Sequence, residues 1–218
     1  MVTPGRKPLD ELESRLAELD LPDLRGKTVL DVGAWDGFFS FAAERLGAKR
    51  VVALDHYVWA RDYGDGAGAA PSREWPGRRG FELAREALGS RVEAVAGDFM
   101  TIDLERLGTF DVVLYLKVLY HMEDPLRALR RVRAVTRELA VIETKGAELP
   151  ALGEVPLCRF FPTDELDGDP TNWWSPNWRA LDGMVRAAGF SRVDMKGPLA
   201  DRPEAPLTRW RAVVHARR

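Results

Sequence analysis

Apolar residues in this chain come as short continuous runs bounded by glycine or aspartate, alternating with stretches where leucine, valine or alanine recurs every three or four positions. The runs at 29–32, 50–55, 91–96, 110–116 and 138–143 predict buried strands, and the stretches between them predict amphipathic helices. Leu9, Leu12, Leu16 and Leu19 stand at helical spacing, which predicts an N-terminal helix within 9–22, stopped by Pro22 and Gly26. A second helix is predicted to run to about Gly47, with Asp36 as its cap, and a third from about Phe81 to Gly89. Asp124-Pro125 reads as a cap and first-turn proline for a helix to about Arg137. Ser175-Pro176 reads the same way for a helix closing at Gly189. The runs 190–195 and 209–215 predict an antiparallel edge hairpin. Alternation of this kind implies an α/β fold, a doubly wound, mostly parallel seven-stranded sheet with ligands outside the strand carboxyl ends. One domain over 1–218 is expected. Its periodicity is interrupted at 56–80 and 144–175, which predicts long loops near a site.

Length and composition add bounds. A chain of 218 residues with 45% hydrophobic and 30% charged content fits an ordinary globular protein. The formal net charge of −2 argues against non-specific attraction to nucleic acid or anionic membrane. Of the 32 basic residues, 26 are arginine, which fits genomic composition bias better than arginine-based recognition. The single cysteine, Cys158, excludes an internal disulfide, and no thiol-and-histidine metal site is expected. No apolar run approaches a membrane span, and the N-terminus lacks an apolar signal core, so a cytoplasmic location is expected.

The chemistry centres on Thr28-Val-Leu-Asp31-Val-Gly33-Ala-Trp35-Asp36-Gly37-Phe-Phe-Ser40. Gly33 lets the chain turn at the strand end without a side chain in the way. A Walker loop would need Gly-Lys-Ser/Thr, and Gly37-Phe38-Phe39 supplies no lysine. A dinucleotide turn would need glycines where Gly33, Trp35 and Phe38 stand, so bulky residues crowd out a pyrophosphate. An adenosine-type pocket without phosphate survives, with Gly33, Trp35 and Gly37 in its turn. Asp55 ends the second strand, 22 residues after Gly33, where an acid accepts from both ribose hydroxyls; a solvated loop aspartate is the plainer reading. His56 follows it. Asp98 can accept the adenine amine with Phe99 or Met100 on the ring, or can merely cap the turn of 101–107. Asp31, Asp55 and Asp98 are expected to converge on one adenosine-sized crevice, with Leu116 at the end of the fourth strand beside it.

The first of these stretches looks like motif I of class I S-adenosylmethionine (SAM) methyltransferases, whose fold is Rossmann-like. From Leu24 to Gly189 the chain resembles their tRNA wobble-uridine carboxymethyltransferase-like branch. The matching pieces are Leu24-Arg-Gly26-Lys-Thr28-Val-Leu-Asp31-Val-Gly33, Phe110-Asp-Val-Val, Val118-Leu-Tyr120-His121-x-x-x-Pro125-Leu and Val141-Ile-Glu143-Thr. Bacterial proteins described as tRNA methyltransferases also share Asp167-Gly-Asp-Pro-Thr-Asn-Trp-Trp-x-Pro-Asn177. The carboxylated-cofactor enzymes carry an N-terminal extension with a lysine, before the point where this chain starts, and of their carboxylate site only the tyrosine maps, onto Tyr120. The resemblance therefore implies plain SAM as donor, S-adenosylhomocysteine (SAH) as product, and no metal.

His121 is the candidate general base, with a structural histidine as the alternative, and Tyr120 and Glu143 are expected to orient substrate or line the methyl path. Asn172, Trp173, Trp174 and Asn177 are candidate substrate contacts, the two tryptophans being expected to point opposite ways, one as anchor and one as ligand wall. The expected function is methyl transfer to a small molecule, such as a natural-product intermediate. A tRNA-modifying enzyme, gripping phosphate with the arginines of the 125–137 helix, and a non-catalytic SAM-binding protein are the alternatives.

Overall fold

The computed structural model describes residues 8–59, 77–148, 152, 155–202 and 208–218. Its strands are β1 (Thr28–Val32), β2 (Arg50–Asp55), β3 (Glu93–Ala96), β4 (Phe110–Leu116), β5 (Thr136–Glu148), β6 (Cys158–Phe160), β7 (Trp174–Pro176), β8 (Arg192–Arg202) and β9 (Thr208–Arg217). Seven of them form one sheet in the order β3-β2-β1-β4-β5-β9-β8, and β6 and β7 pair separately. The helices are α1 (Leu9–Glu18), α2 (Phe38–Arg45), α3 (Arg79–Leu88), α4 (Leu104–Leu107), α5 (Pro125–Val135) and α6 (Trp178–Ala187). This is the mostly parallel α/β sheet with an antiparallel edge that the alternating pattern predicts. The chain divides into two compact units, one up to Leu114 and one from Tyr115 onward.

In the first unit β1 pairs in parallel with β2, and β2 with β3. All five residues of β1 are buried, which is why its sequence is an unbroken apolar run around Asp31. Thr28 fixes the strand start: its amide and hydroxyl donate to Asp111 Oδ2 at 2.8 and 2.9 Å. Helix α2 buries Phe41, Ala42 and Ala43. Phe41 stacks on Phe81 of α3 at 5.2 Å, and Phe81 meets Trp59 at 4.8 Å, so three aromatic side chains fill this part of the core. The cap of α2 differs from expectation. Gly37, at φ 82°, occupies the N-cap, and Asp36 makes no capping bond. Gly47 ends the helix as expected, in the left-handed region at φ 93°.

In the second unit β9 runs antiparallel to β5, from Leu139 opposite Arg217 to Glu148 opposite Thr208, and β8 pairs with β9 at the edge. β5 is therefore 13 residues long. Residues 144–148, expected to be loop, are strand. The pairing with β9 overrides the poor strand propensity of Lys145-Gly146-Ala147-Glu148, and Gly146 is needed because a Cβ there would lie 2.2 Å from the Trp210 ring. Helix α5 starts on the expected Asp124 cap, which accepts from Arg127 N at 2.9 Å, but stops at Val135, so Arg137 sits on β5. Helix α6 is capped by Asn177, because Ser175 and Pro176 are taken up by the β6–β7 pairing.

Most of the predicted 56–80 loop, with Gly64, Gly66, Gly68, Pro71, Trp75 and Pro76, lies outside the described residues, as do 149–151, 153, 154 and 203–207. Among the described residues no helix is long and apolar enough to cross a membrane.

Candidate active site

In the first unit the turn after β1 collects buried acids. Gly33, at φ 77°, and Ala34 donate their amides to Leu54 O at 2.8 and 3.2 Å, folding the turn onto the end of β2. Trp35 follows in the left-handed region at φ 50°, a conformation uncommon for a bulky residue. Its amide donates to Asp55 Oδ2 at 2.9 Å, and its carbonyl accepts from Trp59 Nε1 at 2.9 Å. Asp55 Oδ1 accepts from Val58 N at 3.0 Å. The acid expected to meet ribose is thus not a solvated loop aspartate: it is buried, and it ties the two turns together through backbone amides. His56 beside it is exposed.

Asp31 is also buried and accepts from Ser40 Oγ at 2.6 Å. Burial raises its carboxyl to about 6, helped by the charge of Asp55 and opposed by the Ser40 bonds. Asp36, expected as a cap, instead turns its carboxylate against α3: a Cβ on Gly80 would fall 2.3 Å from its Oδ1, which is buried without a hydrogen-bond partner. Burial, and then Asp55, pushes Asp36 up; burial does the same to Asp55. Gly37 sits under Phe81 and Phe41 with no room for a side chain. Asp98 Oδ1 accepts from Met100 N at 2.7 Å and starts the following turn. Phe99 is buried.

In the second unit, Leu116 ends β4 buried, and the chain passes through Lys117 at φ 63° into a 3₁₀ turn, Leu119–His121. Tyr120 is buried, and the Lys145 ammonium lies 5.1 Å from its ring centre. His121 Nδ1 lies 3.0 Å from both Thr171 O and Thr171 Oγ1. A carbonyl only accepts, so Nδ1 carries the proton and Nε2 the lone pair. Burial lowers the imidazole below its usual range and keeps it neutral, with the Thr171 carbonyl and then Asp169 opposing and Lys145 assisting.

The turn is gripped from the 171–174 segment. Trp173 N donates to Tyr120 O at 2.8 Å, and Trp174 Nε1 donates to Met122 O at 3.0 Å. The two tryptophans do not divide the labour as expected. Both reach the same partner: Trp173 lies parallel to Phe160 at 6.1 Å and Trp174 tilts against it at 5.0 Å, while Phe160 stays 49% exposed.

Three predicted residues make contacts within the fold. Asn177 is buried and uses its whole amide, Oδ1 accepting from Leu157 N and Ala180 N and Nδ2 donating to Val155 O at 2.7 Å. Asn172 is buried and donates from Nδ2 to Leu166 O at 2.7 Å. Glu143 is buried with its Oε1 3.0 Å from Arg211 Nε, an ion pair whose N–H is not aimed along the line of a hydrogen bond. Sequence reasoning missed Lys145, which also pairs with Asp167, and the Asp169–Thr171 pair behind His121. The period of two along β5 puts Lys145 on the same strand face as Glu143, which a strand ending at Glu143 conceals.

A family model described as a methyltransferase domain matches residues 6–194. The chain belongs to that family. This methyltransferase domain is 25% identical over 192 residues to a tRNA U34 carboxymethyltransferase of Desulfotalea psychrophila, covering 87% of this chain and 52% of the relative. It is 27% identical over 175 residues to the protein of that name from Actinobacillus pleuropneumoniae, covering 79% and 48%. The chain thus spans about half the length of the curated relatives it matches. Among solved structures the domain is similar to the SAH-bound N-terminal domain of EvdMO1, with a TM-score of 0.65, 20% identity and 98% and 82% of the two chains covered. It is also similar to the 1,6-didemethyltoxoflavin-N1-methyltransferase of Burkholderia thailandensis, with a TM-score of 0.57, 22% identity and 96% and 75% covered. At those identities the likeness describes the fold.

Proposed function

We propose that this methyltransferase domain takes its methyl group from SAM and places it on a small molecule with a flat or apolar face. The donor reading is supported by two buried acids, Asp31 and Asp55, and the half-buried Asp36, all raised, around one glycine turn. Carboxylates held against their ionisation fit a cationic ligand, and such perturbed groups cluster where function outweighs stability. Asp55 and the Gly33–Gly37 turn would hold the nucleoside. SAM supplies an electrophilic methyl carbon bonded to a leaving sulfur.

The observation that carries the acceptor reading is the Phe160–Trp173–Trp174 cluster, partly exposed and bonded by Trp173 N and Trp174 Nε1 to either side of His121. Aromatic side chains that stay wet at one edge suit an amphipathic ring system. His121 Nε2 takes the proton that an O–H or N–H acceptor loses as its lone pair forms the new bond to carbon. Tyr120 backs the imidazole at 4.4 Å between ring centres.

A tRNA acceptor is the second reading, favoured by the names of the curated relatives. Tritiated-methyl transfer from SAM into a cell extract, fractionated into RNA and small molecules, decides between them. Label in the small-molecule pool is the expected result; label confined to tRNA overturns the acceptor assignment. With the acceptor in hand, His121→Asn is expected to lower kcat by about 100-fold or more while SAM affinity stays within a factor of two, the usual size of a lost general base. Full turnover in that variant removes His121 from the proton transfer.

A further inference from the structure

We infer that Asp169, acting through Thr171, is the positioning residue that holds the His121 proton on Nδ1 and leaves Nε2 as the proton acceptor. This rests on the base role given to His121 above, and it concerns two residues of the Asp167–Asn177 segment to which the sequence pattern assigned no role. Thr171 sits on Asp169 by two bonds to one oxygen: its amide donates to Asp169 Oδ1 at 2.9 Å and its hydroxyl at 2.7 Å. The hydroxyl proton is therefore committed to the carboxylate. Its oxygen can only accept on the other side, where His121 Nδ1 stands 3.0 Å away, next to the Thr171 carbonyl at the same distance. Two acceptors face one ring nitrogen, so the tautomer with hydrogen on Nε2 would set lone pair against lone pair.

The carboxylate adds a second effect. When Nε2 takes a proton the ring becomes a cation, and the partly buried Asp169 stabilises it through the shared hydroxyl, the role a carboxylate behind a catalytic imidazole has generally. Lys145 opposes this, although part of its charge is taken up by Asp167. Tyr120 contributes a ring face. The basicity of His121 is thus set by burial, with Lys145, pulling down, and by the Thr171 carbonyl and then Asp169 pulling up.

The test uses the full chain with 15N-labelled histidine. Three histidines give three sets of ring signals, and His121→Asn identifies the relevant one. Long-range 1H–15N spectra are expected to show His121 with a protonated Nδ1 and an unprotonated Nε2. Asp169→Asn keeps an oxygen in place and removes the charge, so its expected effect is a fall in the His121 titration midpoint of roughly one pH unit, the low end for a nearby opposite charge. The acidic limb of kcat/KM against pH moves down by the same interval, which a purely structural role would not cause. Thr171→Val moves the midpoint in the same direction, and Thr171→Ser, which keeps the oxygen, holds the wild-type value. A proton on Nε2 in the wild type, or a midpoint unmoved in Asp169→Asn, overturns the inference. If the tautomer and midpoints behave as stated while His121→Asn turns over at full rate, the positioning stands and the base assignment beneath it falls.

Discussion

Gly37→Ala is expected to be among the most damaging single-methyl additions in the first unit. Gly37 holds φ 82°, a left-handed conformation that costs an L side chain about 1–2 kcal/mol. The added carbon would also lie 2.6 and 2.7 Å from the rings of Phe81 and Phe41, which are stacked on one another at 5.2 Å and cannot part without moving α3 off α2. Overpacking of that kind costs about 1–3 kcal/mol. Together these predict a loss of roughly 2–5 kcal/mol, or a Tm lower by roughly 10 °C in a chain of this size. Gly26→Ala is the matched control. It has nearly the same backbone conformation at φ 70°, but a Cβ there meets nothing within 4 Å, so only the conformational cost of about 1–2 kcal/mol applies. Equal losses in the two variants, by thermal or urea unfolding, would show that the aromatic contact contributes nothing.

That contrast also indicates what a sequence can and cannot disclose. The glycine turn after β1, the acid ending β2 and the Asp124-Pro125 start of α5 were legible because each depends on a residue type with a single strong conformational reason. Trp35 in a left-handed conformation was not legible, since nothing local favours it; the bond from its amide to Asp55 and that from Trp59 to its carbonyl hold it there. The cap of α6 was misread for a related reason. Ser175-Pro176 satisfies the local cap rule, but the pairing of Cys158 with Pro176 extends the strand through both residues and passes the cap to the next polar side chain. The far end of β5 was lost because its partner lies some sixty residues away and Lys145-Gly146-Ala147-Glu148 contains no β-branched residue. The loss mattered, since Lys145 beside Tyr120 went with it. The His121 tautomer needed Thr171, fifty positions downstream, which no spacing rule connects.

Asp31 offers the clearest dependence of stability on pH. Its carboxyl titrates at about 6 in the folded chain against 3.8 for the ordinary side chain. Below pH 4 the proton is bound in both folded and unfolded chains, and Asp31 contributes no slope. Between about 4 and 6 the folded chain still holds a proton that the unfolded chain has released, so each step upward in pH favours unfolding. Above 6 the penalty is complete and constant, at roughly 3 kcal/mol for about two pH units of difference. Asp36 and Asp55 are shifted in the same direction and act with the same sign. Asp31→Asn removes the charge and keeps an oxygen for the Ser40 hydroxyl. Its Tm relative to wild type is expected to rise by roughly 8 °C between pH 4 and pH 7.5, whatever fixed cost the amide brings. Ser40→Ala works the opposite way, since losing the bond that favours ionisation moves the sensitive window to higher pH. A Tm difference between Asp31→Asn and wild type that is the same at both pH values would mean that no charge is buried there. The same substitution is expected to weaken SAM binding while strengthening the ligand-free fold. A carboxylate that destabilises the protein by itself gains its counter-charge when a sulfonium is bound, and an amide in its place cannot.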